Sequence, residues 1–124
     1  MPAKILVVED DQSLQSMYQF KLEILKFEVA VASNGEIGLQ KAQEFIPDLI
    51  LLDLMMPVMS GDEMLQRLRK TDWGADIRVV ILTNISRDEA PSVLRFLNVD
   101  RYIVKAHHTP TQITDIVKEV LGIR

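Results

Sequence analysis

The sequence predicts an α/β fold: a doubly wound (βα)5 domain with one parallel sheet and helices on both of its faces. Five short apolar runs recur along the 124 residues, and each is followed by a longer amphipathic stretch. Three of the five runs are apolar at every position, as is typical of strands that are covered on both faces. The length fits one hydrophobic core, so we expect a single domain over residues 1–124.

The five apolar runs predict five strands. Runs one, three and four contain only Ile, Leu and Val, whereas run two alternates in part and run five is short and opens with an arginine. We therefore expect the second and fifth strands at the edges of the sheet. The predicted strands are Ile5–Val8, Phe27–Ala32, Leu49–Leu52, Val79–Leu82 and Arg101–Val104.

The stretches between the strands predict helices. Apolar residues at helical spacing mark the first helix from Leu14 to Leu25 and the last from Ile113 to Leu121, which Gly122 ends. Weaker patterns predict three more helices, over Glu36–Phe45, Asp62–Lys70 and roughly Arg87–Leu97. Ser86 and Glu89 have capping-box spacing before the last of these, although Pro91 fits its first turn poorly.

Alternating strands and helices imply a parallel sheet with right-handed crossovers. The flavodoxin-like strand order 2-1-3-4-5 uses five strands and puts the second and fifth at the edges, in agreement with their composition. In this order the chain reverses direction between strands one and three. Ligands bind at that switch point, beyond the carboxyl ends of the strands.

Composition excludes several classes of function. The 14 basic and 18 acidic residues give a net charge of −4, which argues against direct binding of nucleic acid. The absence of cysteine excludes disulfides, thiol catalysis and Cys-ligated zinc, and agrees with a reducing compartment. The longest apolar stretch, from Leu49 to Met59, is interrupted by Asp53 and Pro57 and is too short to cross a membrane. The N-terminus lacks the layout of a secretion signal.

Polar side chains follow the strands at the end where ligands are expected. These are Glu9, Asp10 and Asp11 after strand one, Asp53 after strand three, Thr83 after strand four and Lys105 after strand five. Taken singly, most have ordinary explanations, such as capping a helix or facing solvent. Asp53 is different because it lies between Leu52 and Leu54, where an unpaired carboxylate would cost several kcal/mol.

Taken together, these residues indicate a cation site beside a phosphoryl site. Three converging carboxylates repel one another unless a hard cation joins them, and Mg²⁺ prefers such oxygen ligands. A lysine and a hydroxyl nearby suit a phosphoryl group. No Walker glycine loop or G-x-G-x-x-G motif is present, so a bound nucleotide is not indicated.

Four segments, in this order and spacing, resemble the receiver domain of two-component response regulators, the phosphoacceptor module controlled by sensor histidine kinases. The stretch from Pro47 to Gly61 is specific, and the other three are individually weak. The four segments are Ile5–Asp11, Pro47–Gly61, Val80–Thr83 and Tyr102–Lys105.

The resemblance implies a role for each matching residue. Asp53 would accept the phosphoryl group from a phosphohistidine, Lys105 and Thr83 would bind its oxygens, and Tyr102 would be the switch aromatic. The implied cofactor is Mg²⁺, held by Glu9, Asp10, Asp53 and the backbone carbonyl of Met55.

The resemblance also implies the partners. These are a sensor histidine kinase or a histidine phosphotransfer domain, and a downstream protein that binds the face built from helix four, strand five and helix five. The implied protein is a cytoplasmic signalling domain, a monomer or a phosphorylation-dependent dimer. It would be no enzyme beyond its own phosphorylation and dephosphorylation, and it would bind neither nucleic acid nor membrane.

Three positions depart from the usual family pattern. The first acid is Glu9 where many members have Asp, and Asn84 stands where a small residue is usual. Ala106 replaces the proline that usually follows the lysine behind a cis bond. A cis bond without proline costs about 2.5–4 kcal/mol, which favours a trans bond here.

Two other functions are compatible with parts of this pattern. A Mg²⁺-dependent phosphatase of the haloacid dehalogenase type also uses a strand-end Asp nucleophile. It needs an acid-base catalyst two residues later, however, and Met55 cannot donate a proton. A degenerate receiver that binds partners without phosphorylation is the other alternative, because of Asn84 and Ala106.

Overall fold

The computed structural model describes residues 2–123, which form a five-stranded sheet in the order β2-β1-β3-β4-β5. All four strand pairs are parallel. The predicted order is confirmed, and so are the two predicted edge strands. The strands are β1 (Lys4–Val8), β2 (Glu28–Ala32), β3 (Leu49–Leu52), β4 (Arg78–Thr83) and β5 (Arg101–Val104).

Four of the five predicted helices are confirmed, with boundaries within three residues of the predicted ones. They are α1 (Gln12–Ile24), α2 (Gly35–Phe45), α3 (Gly61–Arg69) and α4 (Pro110–Val120). Side chains cap three of them at the N-terminus, because Asp11, Asn34 and Thr109 each accept a hydrogen bond from the first turn. Across residues 2–123, no helix has the length and apolarity to cross a bilayer.

The fourth predicted helix, Arg87–Leu97, is wrong. Two short 3-10 turns, Arg87–Glu89 and Ser92–Phe96, stand in its place. The break falls at Pro91, because a residue that precedes proline avoids the helical region and Ala90 is extended, with φ −65° and ψ 148°. The expected capping box is also missing, since the Ser86 hydroxyl instead donates to the Glu89 carboxylate at 3.2 Å.

The core has two layers, one on each face of the sheet. Successive side chains of a strand point to opposite faces, so Leu6 and Val8 pack in the layer beneath α2 and α3. Ile5 and Val7 pack in the other layer, beneath α1 and α4. The central strands are buried on both faces, which fixes the carboxyl ends of β1, β3 and β4 relative to one another.

Arg69, the last residue of α3, ties together the loops at the amino end of β4 and before β5. Its guanidinium donates to five backbone carbonyls, at 2.7 to 3.2 Å: Gly74, Ala75, Ile77, Leu97 and Asn98. Burial lowers the pKa of Arg69, and the charges of Asp100 and Asp76 oppose that shift. One charged side chain therefore holds these two loops together.

Candidate functional site

Three carboxylates meet at the switch point between β1 and β3. Glu9 follows β1 and Asp53 follows β3, and the Asp53 N–H donates to the carbonyl of Val8 at 3.1 Å, which holds the two chain ends side by side. One oxygen from each of Glu9, Asp10 and Asp53 lies within 4.8 Å of the others. Glu9 and Asp53 are buried, whereas Asp10 is exposed. The structure therefore brings together the three acidic residues that the sequence singled out.

Lys105 bridges the two buried acids. Its Nζ donates to Glu9 Oε1 at 2.5 Å and to Asp53 Oδ2 at 3.0 Å, and only 11% of its side chain is exposed. Burial by itself would lower the pKa of Lys105, but the bonds and charges of Glu9 and Asp53 outweigh it and raise that pKa. The ammonium group therefore stays charged between the two acids.

Burial acts in the opposite sense on Glu9. It raises the pKa of the Glu9 carboxyl, against the hydrogen bonds from Lys105 and from the Asp11 N–H, the latter at 3.1 Å. Three carboxylates against one ammonium leave two negative charges in excess. Carboxylate oxygens are the donors that a hard divalent cation prefers, and that excess is what such a cation would neutralise. The residues present therefore fit Mg²⁺.

The loop after Asp53 holds the second oxygen of this carboxylate. The Met55 N–H donates to Asp53 Oδ1 at 3.2 Å, while the Met55 side chain is exposed. Farther along, the Met59 N–H donates to the Pro57 carbonyl at 2.7 Å, which closes a three-residue turn centred on Val58 at φ 70°. The role of the Met55 carbonyl as a metal ligand stays a prediction.

Thr83 and Tyr102 are both bonded to the peptide groups of Ile85. The Thr83 hydroxyl, at the buried end of β4, accepts from the Ile85 N–H at 3.4 Å. The Tyr102 hydroxyl donates to the Ile85 carbonyl at 2.7 Å, and the Arg87 guanidinium lies 5.7 Å from the ring centroid. Burial raises the pKa of Tyr102. The two predicted switch residues are thus linked through one intervening residue.

Two positions that depart from the family pattern lie beside the site. All peptide bonds among residues 2–123 are trans, including the bond between Lys105 and Ala106, as the sequence favoured. Even so, the Lys105 side chain reaches Asp53. Asn84 is exposed next to the buried Thr83.

Two buried polar residues of α1 also belong to the site, and sequence reasoning gave them no role there. The Gln15 amide donates to the carbonyls of Glu9 and Ala32. Tyr18 lies beneath Glu9 and Asp53, and burial raises the pKa of its hydroxyl. The available signal was a glutamine three residues before Tyr18, on the helix face that the apolar spacing assigned to the core.

Comparison with known proteins agrees with this geometry. The family model described as response regulator receiver domain matches residues 5–118. The chain therefore belongs to the receiver domain family of response regulators, whose members are signalling domains. The phosphatase alternative gains no support from this match.

Relatives and solved structures give the same assignment. The chain is 34% identical over 122 residues to the alkaline phosphatase synthesis transcriptional regulatory protein PhoP of Bacillus subtilis, covering 98% of this chain and 49% of that protein. It is 37% identical over 112 residues to the phosphate regulon transcriptional regulatory protein PhoB of Rhizobium meliloti, covering 89% and 48%. The chain thus spans about half the length of these curated relatives.

A full-length structural match comes from a chemotaxis protein. The high-resolution structure of the chemotaxis response regulator CheY4 of Vibrio cholerae superposes with a TM-score of 0.88 at 28% identity, covering 97% of this chain and 99% of that one.

Proposed function

We propose that this receiver domain accepts a phosphoryl group on Asp53 from a phosphohistidine of a sensor histidine kinase or a histidine phosphotransfer domain. The observation that carries the proposal is the Asp53 carboxylate, buried at the switch point with the Lys105 ammonium 3.0 Å from Oδ2. A buried acid with a buried cation beside it is suited to stabilising charge on a transferred group.

The transfer is a displacement at phosphorus. A carboxylate oxygen of Asp53 forms the new P–O bond while the P–N bond to the donor imidazole breaks, and the leaving nitrogen keeps the electron pair. Little further bond-making is needed, so the task of the protein is positioning and charge stabilisation. Lys105 stays within reach of the phosphoryl oxygens, and the Thr83 hydroxyl can donate a hydrogen bond to one of them.

Glu9, Asp10 and Asp53 are the proposed Mg²⁺ ligands, together with the Met55 carbonyl. When bound, Mg²⁺ would offset the negative charge on the phosphoryl oxygens. Without a cation, the excess negative charge of these acids opposes the approach of an anionic phosphodonor. We therefore propose that phosphorylation depends on the divalent ion.

The output would pass through Ile85. A phosphoryl group on Asp53 would carry roughly −1.5 to −2 charges where the ionised carboxylate carried one, which favours turning the Thr83 hydroxyl toward it. Thr83 then gives up the Ile85 N–H, and the Ile85 carbonyl is the acceptor of the Tyr102 hydroxyl. The downstream face comprises the Arg87–Phe96 segment, β5 and α4, and the proposed protein is a monomer or a phosphorylation-dependent dimer.

Intact-mass measurement after incubation with acetyl phosphate and MgCl₂ tests the acceptor. The wild type should gain one phosphoryl group and Asp53→Asn none. Asp48→Asn, which changes an exposed aspartate at the opposite end of β3, should gain one group as the wild type does. A wild type that gains none would overturn the proposal in favour of a degenerate receiver. Continuous turnover of a phosphomonoester would overturn it in favour of a phosphatase.

Calorimetric titration with MgCl₂ tests the metal ligands separately. Asp10→Asn removes one carboxylate charge from an exposed position, so the fold should be unaffected while Mg²⁺ affinity falls about tenfold or more. Asp11→Asn is the matched control, because Asp11 caps α1 and asparagine is an equally good cap. Equal Mg²⁺ affinity for Asp10→Asn and the wild type would contradict the assignment of Asp10.

A further inference from the structure

We propose that Gln15 is a positioning residue, whose side-chain amide holds the Glu9–Asp10 pair in the geometry that binds the divalent ion. The inference rests on the proposed function of the acidic site and assigns a task to a residue that has none in it. It is carried by a buried hydrogen-bonding centre between the first turn of α1 and the ends of two strands.

Gln15 makes its contacts with the backbone of the site. Its Nε2 donates to the Glu9 carbonyl at 2.9 Å and to the Ala32 carbonyl at 3.1 Å, and lies 3.4 Å from the Ser33 hydroxyl. The residue is only 6% exposed. An amide nitrogen has two N–H groups, so both are used inside the protein.

These bonds fix the chain at the point where it leaves β1. The Glu9 N–H already donates to the Ala32 carbonyl at 2.9 Å, and Gln15 ties the Glu9 carbonyl to the same strand end. Both backbone groups of Glu9 are therefore bound, and the next residue is Asp10. Because the Glu9 carbonyl belongs to the peptide that joins Glu9 to Asp10, the same bond restrains the backbone that carries Asp10.

The electrostatics of the cleft make such a constraint necessary. Glu9, Asp10 and Asp53 repel one another before any cation binds, and Lys105 contacts only Glu9 and Asp53. Asp10 is exposed, so repulsion would turn the segment that carries it outward. An uncharged donor opposes that motion without adding a positive charge that would compete with the metal.

The test compares Mg²⁺ affinity and stability in the full chain. Gln15→Met keeps the length of the side chain and removes its donors. Groups that orient metal ligands typically contribute ten- to a hundredfold to affinity, so we expect about tenfold weaker Mg²⁺ binding by calorimetric titration. Thr114→Val is the control, because it removes another buried side-chain bond, which lies wholly within α4 (2.9 Å to the Thr111 carbonyl). It should change Mg²⁺ affinity less than about twofold.

The outcomes separate this proposal from the proposed function. If the wild type binds Mg²⁺ and Gln15→Met binds it equally well, the role of Gln15 is overturned and the metal site stands. If the wild type binds no Mg²⁺, the metal site falls and the role of Gln15 falls with it. A loss of affinity in Thr114→Val equal to that in Gln15→Met would also overturn the proposal, because general destabilisation would then explain both.

A measurement on the wild type decides the matter if Gln15→Met does not fold. In an NMR titration with MgCl₂, the side-chain amide resonances of Gln15 should shift with the same midpoint as the backbone amides of Glu9 and Asp10. Gln15 amide resonances that stay unmoved while those backbone amides shift would overturn the proposal.

Discussion

The backbone of Gly61 lies against the backbone of Asp53. A β-carbon at position 61 would stand 2.0 Å from the Asp53 carbonyl oxygen, far inside contact distance. The Gly61 N–H also donates to the Leu54 carbonyl at 3.0 Å. The first turn of α3 therefore fixes the peptide that carries the candidate phosphoacceptor.

Gly61→Ala should disturb both stability and the site. The contacted atom belongs to the backbone, so the strand end or the helix must move, and we expect a loss of about 2–3 kcal/mol in the free energy of unfolding. Phosphorylation by acetyl phosphate should slow as well. Urea unfolding and intact-mass kinetics measure the two effects.

Gly122→Ala provides the comparison for that variant. Gly122 has open space around its α-carbon but a φ of 72°, so alanine there should cost about 1 kcal/mol through backbone strain alone. Phosphorylation should be unchanged. If Gly61→Ala destabilises no more than Gly122→Ala, the close approach to Asp53 does not constrain the fold.

Arg69→Met should be strongly destabilising. It leaves five backbone carbonyls without their donor, in loops that the guanidinium holds together. We expect a loss of about 3 kcal/mol or more, measured by urea unfolding. Arg67→Met, two residues earlier, removes only an exposed ion pair with Glu63 at 3.8 Å and should change stability by less than about 0.5 kcal/mol. Similar losses for the two variants would contradict the role given to Arg69.

Val58→Gly should stabilise the protein. A β-branched residue at φ 70° is strained, and its side chain is 74% exposed, so little burial is lost when it is removed. Relief of this strain should outweigh the conformational entropy that glycine adds to the unfolded chain. We therefore expect the free energy of unfolding to rise by about 1 kcal/mol, measured by thermal or urea unfolding. Val58→Ala keeps the β-carbon and should gain less. A larger gain from alanine than from glycine would show that the turn is not the source of strain.

Glu9→Gln should change stability in a pH-dependent way. Because burial raises the pKa of Glu9 in the fold, the unfolded chain gives up this proton more readily than the folded chain. Ionisation of Glu9 therefore lowers the free energy of unfolding as the pH rises above 4.5, the ordinary pKa of a glutamate side chain. The glutamine variant has no such proton, so it should be more stable than the wild type at neutral pH. The difference should shrink as the pH falls to 4.5 and below.

Urea unfolding from acid to neutral pH checks this prediction. Glu23→Gln, on the exposed side of α1, serves as the control and should show little difference from the wild type across the same range. A gain for Glu9→Gln that persists unchanged in acid would mean that ionisation of Glu9 is not its cause.

The sequence predicted most of the sheet because its pattern is strong where burial is complete. The uninterrupted apolar runs of β1, β3 and β4 fitted only the middle of a parallel sheet. The partial alternation of the second run and the arginine at the start of the fifth marked the two edge strands. The acidic residues and Lys105 came together for the same reason, since the order of the strands determines which strand ends are neighbours.

The failures are local and have local causes. The segment after Ser86 has helical spacing, but the extended conformation that Pro91 imposes on Ala90 overrides it. Gln15 and Arg69 looked like ordinary polar residues of helices. Their importance depends on hydrogen bonds to carbonyls up to 29 residues away in sequence. The spacing of apolar residues within a helix gives no information about such contacts.

The two 3-10 turns beside β5 have a consequence for signalling. Such turns have poorer hydrogen-bond geometry than an α-helix, and Phe96, within the second of them, is 81% exposed. Reshaping this stretch therefore breaks weaker bonds than unwinding a regular helix of the same length. We therefore expect a free-energy change at the strand ends to reshape this exposed stretch more readily than it would reshape a regular helix or the sheet beneath it.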